Sequence, residues 1–151
     1  YLTMQNMRAR GQQRYAVTKK QNGVEWSSQN MLVLGAIVLG FLVLHLYNFW
    51  FKMQFAELTG IETGAHDPAN GAAYVAELFS NWIYCVLYIV WLVALWFHLT
   101  HGVWSSLQSL GLNNKTWFPR VKVISNIVST IVILMFVAIP VYYLLGCGAG
   151  C

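Results

Sequence analysis

Three stretches of the chain contain no Asp, Glu, Lys or Arg: Trp26 to Phe51, Leu78 to Asn114 and Val123 to Cys151, of 26, 37 and 29 residues. Each exceeds the roughly 20 apolar residues that cross about 30 Å of hydrocarbon at about 1.5 Å per residue. Charge is scarce everywhere, at 9% of 151 residues, against roughly 25% in a typical soluble domain. A soluble enzyme is thereby excluded. So is a nucleic-acid binder, because the net charge of +4 is scattered between apolar spans rather than gathered on a basic face. No span alternates apolar and polar residues, which excludes a β-barrel. The expected fold class is an all-α integral membrane protein.

The few charges predict the topology. Arg8, Arg10, Arg14, Lys19 and Lys20 precede the first span, and Lys115, Arg120 and Lys122 separate the second from the third. Glu57, Glu62, Asp67 and Glu77 lie between the first and second, with no basic residue after Lys52. Basic loops mark the cytoplasmic side. The expected layout is a cytoplasmic basic segment 1–27, a transmembrane helix 28–56 and an external loop 57–77. A second transmembrane helix 78–110, a cytoplasmic loop 111–121, a third transmembrane helix 122–146 and an external tail 147–151 follow. Trp26 and Trp50 bracket the first span as interfacial aromatics, and Pro140 is expected to kink the third span or be absorbed by its packing. The turn signals Asp67-Pro68 and Asn70-Gly71 precede Ala72–Glu77, which reads as helical. Tyr1-Leu-Thr-Met lacks the layout of a signal peptide and reads as the last turn of a helix. The expectation is that these residues are the C-terminal part of a longer membrane chain. Cys85 reads as helix packing; the C-x3-C spacing of Cys147 and Cys151 carries little weight.

Ionisable side chains inside spans are costly and usually functional. Here they are His45, His98 and His101, with no intramembrane carboxylate. A proton or ion path would recruit carboxylates; imidazole alone suits haem iron. The bland alternative is a histidine bonded to a neighbouring helix. His45 lies about six residues from the outer end of its span and His98 about five from the inner end of its own. That leaves them roughly 14 Å apart along the membrane normal, too far to ligate one porphyrin from both sides. Two haems are expected, each holding one of these histidines. Gly102, Ser105 and Ser109 make a small-residue stripe beside His98, suited to a flat macrocycle or to another helix. His101, at i+3 from His98, is an alternative ligand or a propionate partner. Further propionate candidates are Trp26, Ser27, Ser28, Ser105, Gln108 and Ser109 at the inner haem. At the outer haem the candidate is Lys52, placed on the face of His45 by i+7 spacing. His66, in the external loop, is expected to be solvated.

The stretch Phe97-His-Leu-Thr-His-Gly-Val-Trp-Ser-Ser-Leu-Gln-Ser-Leu-Gly-Leu112 resembles the fourth span of the two-haem, single-chain cytochrome b membrane subunit of succinate dehydrogenase and fumarate reductase. Leu44-His-Leu-Tyr-Asn-Phe-Trp50 is similar to that family's third span, and Asn6-Met-Arg-Ala-Arg10 to the exit from its second. The resemblance implies that the three helices belong to a five-helix haem-binding bundle. It implies that His45 ligates the haem distal to the catalytic subunits and His98 the proximal one. The implied partners are a flavoprotein subunit, an iron–sulfur subunit, membrane lipid and a quinone of low potential such as menaquinone. Electrons would pass between the iron–sulfur protein and the quinone through two haems b, and no residue of this chain would act on succinate. Tyr47, Asn48 and Lys52 are the residues near His45 considered for the quinone. Two other readings stand beside this one. The chain could be a haem-b subunit of a hydrogenase, formate dehydrogenase or nitrate reductase, or a haem-free transmembrane scaffold.

Overall fold

A computed structural model describes residues 1–10, 25–61, 63–111 and 114–146. Arg14, Lys19, Lys20, Glu62 and the Cys147 to Cys151 tail lie outside the described residues. Helix α1 covers Leu2–Arg10, and the single turn α2 covers Trp26–Gln29. Helix α3 then runs without a break over Met31–Thr59, α4 over Gly71–Phe79, α5 over Trp82–Ser109 and α6 over Phe118–Leu144. There is no strand among the described residues. Of these helices α3, α5 and α6 are long and apolar enough to cross a membrane, which makes the chain an all-α membrane protein.

Local chemistry sets the ends. Asn70 Oδ1 accepts from Ala73 N at 3.2 Å to start α4, and Asn81 Oδ1 accepts from Ile83 N at 3.0 Å to start α5. Asn81 is extended (φ −91°, ψ 113°), so the second span begins at Trp82 and Leu78–Phe79 belong to α4 instead. Helix α6 begins at Phe118, inside the segment expected as loop, because Pro119 fits the first helical turn, where an N–H would be orphaned anyway. Gly60, at φ 69°, closes α3 in the left-handed cap conformation, its N–H donating to Ala56 O at 2.8 Å. Pro140 is fully buried and α6 continues past it to Leu144, so packing absorbs it.

Within α3 the backbone changes pitch. Met31–His45 is α-helical, Leu46–Phe55 is a π-helix, and Ala56–Thr59 returns to α. A π-helix bonds i to i+5 and is frequent at functional sites. Thr63 Oγ1 donates to Phe51 O at 3.1 Å, tying the following loop to this segment.

Helix α5 is the centre. It packs along α6 on one side and α3 on the other, whereas α3 and α6 do not meet among the described residues. Helix α4 packs against all three at the end made by Thr59, Trp82 and Leu144. That end carries Glu57, Asp67 and Glu77 and is called the acidic end; the opposite, basic end carries Lys115, Arg120 and Lys122. The core gathers near the acidic end on Phe79, Cys85 and Tyr88, ringed by Phe41, Phe49, Trp91 and Tyr143. Cys85 Sγ donates to Phe79 O at 3.1 Å, in keeping with a packing role. Leu32, Val33, Leu39, Ile127, Ile131 and Met135 face outward, the arrangement that acyl chains rather than water would cover.

Along α5–α6 one side-chain bond joins the helices: Trp96 Nε1 donates to Thr130 Oγ1 at 2.9 Å. Bonds of this kind in membranes average about 0.6 kcal/mol and reach about 1.7 kcal/mol. Trp96→Phe should therefore lower the unfolding free energy in mixed detergent micelles by about 0.6 kcal/mol, read from a denaturing-detergent titration.

Candidate functional site

His45 is the last α-helical residue before the π segment, near the acidic end. Its ring is exposed and lies 5.6 Å from Phe41, 5.0 Å from Phe49 and 6.3 Å from Tyr88, centroid to centroid. It lines an apolar cavity of about 340 Å³, whose other walls include Leu92 and Leu95 of α5 and Phe136 of α6. That volume falls in the roughly 300–1,000 Å³ range of ligand sites, and the imidazole is the cavity's chief polar group.

Lys52 does not share this cavity. The i+7 spacing that would align it with His45 holds for an α-helix, and the intervening residues form a π-helix, in which each turn takes up about one more residue. Lys52 instead lines a neighbouring polar pocket of about 350 Å³ with Asn48, Glu77, Asn81 and Tyr84. The wall between the two spaces is the pair Asn48 and Tyr88, both buried, with Asn48 Nδ2 donating to Tyr88 Oη at 3.4 Å. Tyr47 points outward and stacks on Phe51. His66, in the loop, is not simply solvated. Its Nε2 lies 3.3 Å from Glu77 Oε2, and its ring meets Tyr74 edge-on.

His98 sits on α5 toward the basic end. A Cβ built on Gly35 of α3 would lie 3.7 Å from His98 Cε1, an ordinary van der Waals distance, so α3 passes close beside this imidazole. His98 Nδ1 is buried and has no hydrogen-bond partner among the described residues. The small-residue stripe divides. A Cβ built on Gly102 would lie 3.7 Å from Met31 Cε, so that position receives α3, while Ser105 remains half-buried. Ser109 spends its hydroxyl on Ser105 O at 3.0 Å. Trp26 meets Phe97 edge-on at 5.3 Å, which brings it beside His98, and Ser28 is half-buried two residues on. His101 is held in a different setting: Nδ1 is 4.0 Å from Glu25 Oε2, its ring lies 4.8 Å from Trp104, and Glu25 also pairs with Lys122.

The relative levels follow from these contacts. Gly35 marks the level of His98 on α3, ten residues before His45; Tyr88 marks the level of His45 on α5, ten residues before His98. Both helices thus give about 15 Å between the histidines at about 1.5 Å per residue. Among the described residues no three His, Cys, Asp or Glu side chains converge, so a metal held by protein ligands alone has no site there. A haem brings four nitrogens of its own and asks one imidazole of the chain on a given face. An open imidazole in an apolar, aromatic-walled cavity fits that demand, as does an unpaired imidazole facing a glycine. Gly35, Tyr88 and the Glu25–Lys122 pair were not legible as site residues, because their roles depend on which helices meet. The only sequence signal was a glycine ten residues before a span histidine. No protein-family profile, curated protein or solved structure matches the chain.

Proposed function

We infer that the chain is the membrane-anchor cytochrome b subunit of a succinate:quinone oxidoreductase, His45 and His98 each giving one axial ligand to a separate haem b. The observation that carries this reading is the pair of imidazoles about 15 Å apart in level on apolar helices, with no Asp or Glu in residues 31–56, 82–109 or 118–144. A bound haem would supply one-electron carriage. The chain's own contribution is to set the two imidazoles at separate levels and keep the His45 cavity apolar. Each haem's second axial ligand would come from outside the described helices. The resemblance of Phe97–Leu112 and Leu44–Trp50 supports succinate and fumarate chemistry in the partner subunits.

In this reading the protein lies in a bacterial cytoplasmic membrane, with Lys115, Arg120 and Lys122 facing the cytoplasm. The iron–sulfur and flavoprotein subunits dock at that end. A quinone such as menaquinone reacts at the other, where Asn48, Lys52 and Tyr84 line the polar pocket beside His45. His101 is not the iron ligand in this reading, since Glu25 and Trp104 flank its ring.

The haem-free scaffold reading is disfavoured by His98 Nδ1, which has no hydrogen-bond partner among the described residues, whereas a helix-joining histidine would be bonded. The deciding measurement is a reduced-minus-oxidised spectrum of the purified complex. A b-type α band that titrates in two steps is expected, together with a copurifying flavoprotein. A spectrum without that band rejects haem altogether, and copurification of a molybdenum or nickel–iron enzyme rejects the succinate assignment.

A further inference from the structure

Four buried polar atoms without a hydrogen-bond partner among the described residues lie toward the basic end between α5 and α6: His101 Nδ1 and Trp104 Nε1 on α5, with Ser125 Oγ and Asn126 Oδ1 on α6; a fifth, His98 Nδ1, belongs to the side of α5 that meets Gly35 of α3. On α5 the layer spans one helical turn, about 4.5 Å. The bond from Trp96 to Thr130 and the seat of Lys122 over the Trp104 ring, 5.2 Å from its centroid, set the level of the antiparallel neighbour. They bring Ser125 and Asn126 opposite Thr100 and His101. Lys122, Ser125, Asn126 and Thr130 recur at helical spacing on the face that meets α5, so the layer belongs to a polar stripe inside the helix pair.

The chemistry of the four atoms names the ligand class. An indole N–H only donates and an amide oxygen only accepts; a hydroxyl and a neutral imidazole nitrogen serve in one role or the other. A small molecule that both donates and accepts satisfies all of them, and buried waters typically make two to four such bonds. The layer also has an opening. Glu25 and Lys122, whose side chains are 38% and 36% exposed, form an ion pair at its outer edge, with His101 Nδ1 4.0 Å from the Glu25 carboxylate.

We propose that this layer binds ordered water, continuous with the aqueous phase through the Glu25–Lys122 pair and held between His101, Trp104, Ser125 and Asn126. Water then reaches the level of Thr100 and His101 from the basic end, whereas His45 sits against an apolar cavity. The proposal concerns α5, α6 and Glu25 and does not rest on the haem assignment.

The test uses the full-length protein in its native membrane with its own subunits. Cys85, Cys147 and Cys151 are replaced by Ala, and Ser125→Cys or Ile133→Cys is then introduced. Both positions are buried on α6, Ile133 two turns deeper. A small cationic thiol reagent should modify Ser125→Cys at least about 100-fold faster than Ile133→Cys. Equal rates overturn the proposal, as does slow labelling of both, the result of a lipid headgroup or a cofactor carboxylate filling the layer. A measurement on the unsubstituted protein guards against misfolding. Hydroxyl-radical footprinting should oxidise Trp104 at least about tenfold faster than Trp96, whose Nε1 is bonded to Thr130. Equal oxidation of the two overturns the proposal.

Discussion

His45→Ala should yield an assembled subunit with half the b-type haem, and His98→Ala should do the same while losing the other half. The two variants remove imidazoles about 15 Å apart in level, so neither change reaches the other site. Each mutant's remaining haem should titrate as a single step, at a different potential in the two proteins. The measurement is haem content per subunit together with a redox titration of the α band. Loss of both haems from either variant, with the subunit still assembled, would contradict separate sites. Folding should survive in both cases. The His45 ring is exposed beside its cavity, and His98 Nδ1 makes no hydrogen bond among the described residues.

A second large effect is expected in the core. Tyr88 is 4% exposed and is gripped by aromatic rings on three helices, with Phe41 and Phe79 each 5.1 Å away and Trp91 6.0 Å away. Tyr88→Ala should cost about 3–5 kcal/mol of unfolding free energy, as for other buried large aromatics. In hydrocarbon the loss is of packing contacts rather than of burial from water, because lipid is as apolar as the core. Tyr88→Phe keeps the ring and removes only the long bond from Asn48, so it should cost about 1 kcal/mol or less. A denaturing-detergent titration of the two variants separates packing from hydrogen bonding. Similar losses in both would show that the Asn48 bond, not the ring, holds this end together.

The spans and the separation of the histidines along them were readable in the residue order because a charge in hydrocarbon is penalised wherever it falls. The gaps between charges therefore mark the membrane without reference to any partner helix. Helix ends were less legible. Phe118–Arg120 reads as a loop by its aromatics and proline, yet proline suits a first turn, and a charge-based boundary cannot detect that. The π segment has no compositional mark at all. Leu46–Phe55 would be an ordinary amphipathic helix by its residues, and its geometry comes with tertiary contacts such as Asn48 on Tyr88 and Thr63 on the Phe51 carbonyl. Placing Lys52 on the same face as His45 failed for that reason. Gly35 and the layer around Ser125 were invisible for a related one: which residues face each other across two helices depends on a relative level that neither helix specifies alone.

The change of pitch after His45 also bears on how this end of the protein tolerates length variation. An α-helix that gains one residue turns everything beyond it by roughly a quarter to a third of a revolution. A π segment already holds extra residues per turn and can release or absorb one locally. Shortening Leu46–Phe55 by a residue would let it tighten into α geometry, leaving Met31–His45 in place. Asn48 and Lys52 would swing to new azimuths while the imidazole stayed put. The helix thus behaves as two sections joined by a slip coupling, one aiming the histidine and the other aiming the polar pocket, so that either can be adjusted by insertion or deletion without disturbing its neighbour.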